Sequence, residues 1–304
     1  MIKLINYRKN KLIYYNDNSF LINLNPEKIK DKLFKSVIKE INKKEYLKYE
    51  IEIENNKYIF VYKYLDWDSK FFNKNTFKIY TVLYENENPK GLVKAIRNFV
   101  KKVSLRNSYF YFDIPTEDIF LIQCICTAGF RLIESRLHFY YSFSNFKSLD
   151  RYKVRFADKN DIKNLRDTAI LMRNNFDKYH ADYTYSNNKA DDYLGKFIEN
   201  SILGFADFTL IPDDKKLPDA FLSANNPVKV FNYNIAKLVL AAVNNYTRKG
   251  WLKKLLYEVI VELKNWNADF LTTITQTANR PAIKVWLDSG FELYSTSHIF
   301  VKND

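Results

Sequence analysis

The distribution of apolar positions divides the C-terminal half of the chain into a readable series of elements. Residues 152–156, YKVRF, alternate as a short strand, and residues 158–176 follow as a helix with an aspartate near its N-cap. In residues 191–203 the side chains Tyr193, Leu194, Phe197, Ile198 and Ile202 recur at helical spacing. FADFTLI and DAFLSA, residues 205–211 and 219–224, read as strands on either side of the polar turn PDDKKLPD. Residues 229–243 add further strand, residues 252–266 a long amphipathic helix and residues 269–276 a strand. Residues 279–289 are then helical, and residues 291–301 form the closing strand. The series β-α-α-β-β-β-α-β-α-β predicts an α/β (α+β) fold, a mixed sheet with helices packed on it.

An internal echo extends this pattern to the N-terminal half. Residues 129–139 read GFRLIESRLHF and residues 290–300 read GFELYSTSHIF. In both, a helical stretch precedes the glycine and an alternating strand follows it. Gly at a helix end supplies the left-handed C′ position, and the Phe then starts a strand against the core. The echo predicts two related α/β units, residues 1–149 and 150–304; chance similarity over so short a stretch is the alternative.

Composition narrows the chemistry. With only 6 glycines in 304 residues, neither GxGxxG nor GxxxxGK[ST] occurs. The three histidines, His138, His180 and His298, form no HExxH or Cys/His cluster, so no metal site is expected. Cys124 and Cys126 stand two apart in the apolar run IFLIQCIC, where a bridge would be strained. They are expected as buried thiols in a reducing compartment. MIKLINYRKNKLIYY at the N-terminus interrupts its apolar residues with charges, and no 18-residue apolar run occurs. A cytoplasmic protein with no membrane partner is expected. Lys and Arg exceed Asp and Glu by 13, which attracts polyanions. The basic runs, such as INKKEYLK, are too short and scattered for a nucleic-acid track; solvated helix faces are the plain alternative.

The segment TQTANRPAIKVWLDSGFEL, residues 275–293, resembles part of the GNAT acyltransferase family, in which an Asn follows the fifth strand, an Ala comes three residues later and Gly-Phe closes the helix. Asn279, Ala282, Gly290 and Phe291 stand at those positions. The resemblance implies a GNAT-like mixed sheet flanked by helices in residues 150–304, with a second, partial GNAT-like α/β unit in residues 1–149. It becomes more specific in LDWDSKFFN (residues 65–73), AGFRLIESRL (residues 128–137) and NFDKYHADYTYSNNKADDYLGKFIENSILG (residues 175–204), which are similar to the dTDP-fucosamine N-acetyltransferase group of dTDP-amino-sugar N-acyltransferases. The matches cover roughly residues 66–303, and the residues ahead of them have no counterpart. An aromatic core patch is the plain reading of Trp67, Phe71 and Phe72.

What the resemblance implies is an acyl-CoA cosubstrate, no metal and a dTDP-sugar partner, with a homodimer as the default oligomer. In the family, Asn279 and Ala282 would lie near the pantetheine arm of coenzyme A. Backbone N–H groups of the splayed fourth strand, Leu240, Ala242 and Val243, would face the thioester. The pyrophosphate loop corresponds to YTRKGWLKK, placing Arg248, Lys249, Gly250, Trp251, Leu252 and Lys253 at the diphosphate, where helix N-terminal N–H groups bind anions. Gly250 matches the loop's first glycine, but Leu252 occupies the second; an ordinary basic helix start is the alternative. The family's general-acid tyrosine is replaced by Trp286, whose indole N–H donates a hydrogen bond but gives up no proton. Acid–base assistance contributes about 10²–10⁴-fold, whereas positioning supplies roughly 7–11 kcal/mol. Catalysis mainly by positioning is therefore expected. His180 is the candidate to assist the amine, or else orients structure or substrate. Arg173, Tyr179, Asp182, Tyr183, Tyr185 and Gln276 are candidates for holding the acceptor. The expected activity moves an acetyl or short hydroxyacyl group, such as 3-hydroxybutanoyl, from CoA to the 3- or 4-amine of a dTDP-linked amino-dideoxyhexose. The alternatives are a GNAT enzyme of another amine and a non-catalytic binding module with a degenerate CoA loop.

Overall fold

A computed structural model describes residues 1–303 apart from Asn25 and Lys215, with Glu27 described by its backbone alone. The chain divides into two units, Met1–Arg136 with Tyr294–Asp304, and Leu137–Leu293. The first unit opens with short helices α1 (Ile2–Tyr7) and α2 (Lys9–Leu12), two 3-10 turns (Ile13–Tyr15 and Ser19–Asn23) and α3 (Pro26–Ile41). It continues through β1 (Leu47–Ile53), β2 (Asn56–Tyr64), α4 (Asp66–Phe72), β3 (Asn75–Leu83), α5 (Pro89–Val103), β4 (Ser108–Pro115), α6 (Ile119–Thr127) and β5 (Arg131–Ser142). The second unit runs through β6 (Val154–Phe156), α7 (Ile162–Leu171), α8 (Lys178–Ala181), α9 (Asn187–Asn200), β7 (Phe208–Pro212), β8 (Ala220–Val230), β9 (Tyr233–Val243), α10 (Trp251–Asn265), β10 (Phe270–Gln276) and α11 (Arg280–Asp288). Strand β11 (Glu292–Asn303) ends the series.

Strands of the first unit lie in the order β1-β2-β3-β4-β11, followed by the first half of β5. The pair β3–β4 is parallel, whereas β1–β2, β2–β3 and β4–β11 are antiparallel. In the second unit the order is the latter half of β5, then β10-β9-β8-β7-β6, with β9–β10 parallel and β6–β7, β7–β8 and β8–β9 antiparallel. Each unit is a mixed sheet flanked by helices, as the alternation of strand and helix patterns requires.

The two echo segments have the same local structure. Gly129 and Gly290 adopt φ of +93° and +86°. Phe130 N–H donates to the Ile125 carbonyl at 3.1 Å and Phe291 N–H to the Trp286 carbonyl at 3.0 Å, while Gly129 and Gly290 donate to Cys126 and Leu287. This double bond is a Schellman stop, which needs a residue tolerant of positive φ at C′. The strand behind each stop crosses between units. Strand β5, following α6, ends in the second unit, and β11, following α11, pairs with β4 over Ser297–Asn303 in the first.

The cores follow the helix faces. In the first unit α5 lays Phe99 on Phe60 (ring centroids 4.4 Å, nearly parallel) with Phe110 at 5.8 Å, while α1, α2 and α3 cover Ile59, Val61 and Leu83. In the second, α10 buries Leu255, Leu256, Val259, Ile260 and Leu263 against Leu222, Ala236 and Leu238. Helices α7 and α9 cover Ile211 and Phe221. Three expectations are corrected. The helix foreseen over residues 158–176 stops at Leu171, where Asn174 turns the chain by accepting from Phe176 N–H. The strand foreseen over 229–243 is broken at Phe231, whose φ of +57° makes a turn between β8 and β9. Cys124 is buried but Cys126 is exposed, because two residues of helix rotate a side chain through about 200°. Among the described residues no helix is long and apolar enough to cross a membrane.

Candidate functional site

The parallel strands at the middle of the second unit part company. β9 and β10 pair only from Phe270↔Ile235 to Thr272↔Lys237, yet β9 runs on to Val243 and β10 to Gln276. Just past the last pair, β9 carries a bulge: Leu238 faces Ala224 and Leu240 faces Ser223, so Val239 has no opposite residue. A bulge bends its strand and frees a backbone group from the ladder. Beyond it Val239, Leu240, Ala241 and Ala242 are only half-buried, although both neighbouring strands continue. The result is a wedge-shaped gap walled by the backbone of β9, which includes Leu240, Ala242 and Val243.

The chain leaves β9 through a loop built to present a helix start. Asn244 N–H donates to the Asp219 carbonyl, and the Asn244 carbonyl accepts from Thr247 and Arg248 N–H. Arg248 is buried, with Nε 2.5 Å from Asp219 and Nη1 2.5 Å from Asp214, and its guanidinium holds the Asp214 carboxyl down at about 2. Its charge is thus committed to two carboxylates, making it the anchor of the loop. Gly250, φ +83°, is the N-cap of α10, which has no side-chain cap and no acidic residue in its first turn. The first N–H of α10, that of Trp251, donates to the Arg248 carbonyl at 3.0 Å; those that follow it lack intrahelical acceptors and carry the positive end of the helix dipole. A Cβ at Gly250 would meet nothing within 4 Å, so close backbone approach from outside is open. Leu252, at the second glycine position, packs with Trp251 against the core. Lys249 is exposed; Lys253 lies over Tyr257, and Lys254 over Trp251 and Tyr152.

At the far side of the gap, the turn from β10 to α11 is set by Asn279, the N-cap, whose side-chain oxygen accepts from Ala282 N–H at 3.4 Å. Pro281 occupies the first helical turn, where its missing N–H costs nothing. Ala282 and Trp286 are buried on the inner face of α11. The Trp286 indole Nε1 is buried with no hydrogen-bond partner among the described residues. Asn174 donates its side-chain amide to Gln276 at the end of β10, tying the loop after α7 to this turn. An open cleft of about 600 Å³ lies here, lined by Phe176, Thr277, Ala278 and Arg280.

The acceptor candidates lie on α8 and the stretches that flank it, with Gln276 apart at the end of β10. His180 Nδ1 lies 2.6 Å from Asp177 and Nε2 3.1 Å from Asp191, and Arg173 Nη1 is 2.6 Å from the other Asp191 oxygen. Burial lowers the imidazole pKa, but Asp177 and Asp191 outweigh it and the net shift is upward. With both ring nitrogens engaged, His180 is a tether of α8 to α9 rather than a free base. Tyr179 stacks among Tyr185 and Tyr193 at 5.5 and 4.3 Å, and Asp182 is buried and accepts from Thr184 N–H. Tyr183 is 79% exposed. Sequence reasoning missed Asp177 and Asp191 as partners of His180, Asp214 and Asp219 as partners of Arg248, and the bulge at Val239. The i, i+3 spacing of Asp177 and His180 was the one visible signal.

No family model and no curated protein matches the sequence. Solved structures do. The GCN5-related N-acetyltransferase from Sphaerobacter thermophilus superposes with a TM-score of 0.55 at 8% identity, over 89% of this chain and 85% of that one. A glucosamine N-acetyltransferase region of a fungal multi-domain GH3 β-N-acetylglucosaminidase gives 0.53 at 10% identity, over 81% of this chain and 31% of that one. The GCN5-related N-acetyltransferase from Kribbella flavida gives 0.50 at 8% identity, over 84% of this chain and 89% of that one. The fold is therefore similar to that of these GCN5-related N-acetyltransferases.

Proposed function

We propose that the second unit is an acyl-CoA-dependent N-acyltransferase site. The observation that carries this reading is the wedge between β9 and β10, opening beside the uncapped N-terminus of α10. A diphosphate fits the α10 amides beside Lys249 and Lys253, and the pantetheine arm fits the wedge beside Asn279 and Ala282, with β9 backbone groups as partners. A neutral amine then attacks the thioester carbonyl. The N–C bond forms, the oxyanion is held by N–H groups of β9 near Leu240 to Val243, and collapse breaks the C–S bond. The amine's proton goes to water or to the departing sulfur, toward which Trp286 Nε1–H supplies a hydrogen bond. With His180 tied to Asp177 and Asp191, the rate comes from positioning.

For the acceptor, the reading is the amine of a dTDP-linked amino-dideoxyhexose, taken at the cleft beside Phe176 and Arg280 with Arg173, Tyr179, Asp182, Tyr183, Tyr185 and Gln276 around it. Its support is the resemblance of residues 175–204 to amino-sugar acyltransferases and a net charge of +13 suited to diphosphate ligands. A non-catalytic binding module stays the rival, favoured by the commitment of Arg248 to Asp214 and Asp219. The test is thermal unfolding with CoA and with dTDP, then mass spectrometry of products from a panel of dTDP-amino sugars with acetyl-CoA. Saturating CoA at 100 times its Kd should stabilise the protein by about 2.7 kcal/mol. No shift with CoA removes the transferase reading; a CoA shift without acylated product leaves the binding module.

A further inference from the structure

The first unit contains the same cleft, already filled. β3 and β4 are its parallel pair, joined from Asn75↔Ser108 to Ile79↔Phe112, after which β3 continues to Leu83 and β4 to Pro115. A bulge follows the last pair here too: Ile79 faces Tyr62 and Thr81 faces Val61, leaving Tyr80 without an opposite residue. Beyond the bulge, however, Thr81, Val82 and Leu83 are all 0% exposed. The N-terminal segment covers Leu83, while Val82 packs in the cluster that holds Leu92, Ile96 and Phe99 of α5. Leu4, Ile5, Leu12 and Ile13 pack with Ile59, Val61 and Leu83, and Tyr15 and Tyr46 stack on Tyr80 at 5.9 and 5.3 Å.

Arg8 fills the gap itself. Its Nη1 donates to the Val82 carbonyl on the freed length of β3, and its Nη2 pairs with Asp118 at the corner between β4 and α6. Tyr15 hydroxyl donates to the same carboxylate at 2.6 Å, and the guanidinium lies 4.4 Å over the Tyr84 ring. Arg8 is 2% exposed and Asp118 1%. The helix that follows β3 is closed as well: Asn88 caps α5 by accepting from Gly91 N–H at 3.0 Å, and Pro89 at its first position has no N–H to offer. A diphosphate would find neither free amides nor room, since a Cβ at Gly91 already meets the Tyr58 hydroxyl at 2.5 Å.

We propose that the first unit is a sealed copy of the acyl-CoA cleft, closed by the chain's own residues 2–15 with Arg8 as the bolt, so that each chain takes up one CoA. The count of one rests on the reading of the second unit; the sealing does not. Two measurements on the full chain separate them. Calorimetric titration with CoA should give one site for the wild type, weakened about tenfold in Gly250→Val; two sites, or one whose affinity Gly250→Val leaves unchanged, overturns the seal. Hydrogen exchange on Arg8→Met should speed the amides of residues 80–83 and 116–118 by about a hundredfold, while residues 239–243 keep their rates. Unchanged exchange at residues 80–83 overturns the seal even if the wild type binds no CoA, a result that would strike only the second-unit reading. Should Arg8→Met fail to fold, Tyr15→Phe removes one bond to Asp118, and the same amides should speed about tenfold; unchanged rates in that variant likewise overturn the seal.

Discussion

Two parallel strand pairs with the same bulge meet opposite fates in the two units. In the second, the strand past Val239 is half-exposed and leads to a helix capped by a glycine with no side-chain acceptor. In the first, the strand past Tyr80 is buried and leads to a helix whose opening turn is satisfied by Asn88 and Pro89. The backbone topology is shared, so topology alone confers no binding site. What differs is which polar groups are left without protein partners. An inventory of unsatisfied donors therefore discriminates between the two units better than fold does.

The largest expected effect lies in the closed unit. Arg8→Met strips a buried carboxylate of its cationic partner, leaving it the Tyr15 hydroxyl, and should cost about 3–5 kcal/mol in a urea titration of the full chain. Equal stability of the variant would mean that Asp118 is neutral there and the bolt is no ion pair. Next comes Gly250→Val, which puts a β-branched side chain at φ +83° at a strain of roughly 1–2 kcal/mol. CoA affinity should fall about tenfold by calorimetry. Affinity within twofold of wild type would remove the α10 terminus from the site. Asn88→Ala, its counterpart on α5, should lose about 1 kcal/mol of stability with CoA affinity unmoved; a change in affinity would tie α5 to ligand and erase the contrast.

The smallest effect concerns pH. His180 has a folded-state pKa above its ordinary 6.5, set by Asp177 and Asp191 against the opposing pull of burial. The stabilisation is therefore complete below that ordinary value and is lost as pH rises through the folded-state value. The stability advantage of the wild type over His180→Gln should be widest near the acidic end of that range and shrink on going alkaline. An advantage that grows with pH would contradict the doubly bonded imidazolium.

Most of the second unit was legible in the sequence, whereas in the first only the stop at Gly129 and the strand after it were read. Alternation and helical spacing located β7, β10, α9, α10 and α11, because each buries one face on a sheet. The echo around Gly129 and Gly290 was readable since only a positive-φ residue makes that stop. Illegible were the features that depend on distant partners. Nothing near Arg248 in the sequence points to Asp214 or Asp219, and nothing near Arg8 points to Asp118, more than a hundred residues away. A bulge is a shift of register between two strands, so Val239 and Tyr80 carried no local mark. The helix of residues 158–176 was overextended because an Asx turn at Asn174 outweighed the apolar spacing.

The placement of β11 sets a condition on how the protein is made. A growing chain can assemble β1 to β4 with their helices early, but the strand that covers the β4 edge emerges only after the whole of the second unit has been synthesised. Until then the nascent first half presents an open row of backbone donors and acceptors, an invitation to mispairing with neighbouring chains. Translation that ends short of Ser297 should therefore yield an aggregating product rather than a folded half, and chaperone dependence would be concentrated in that interval.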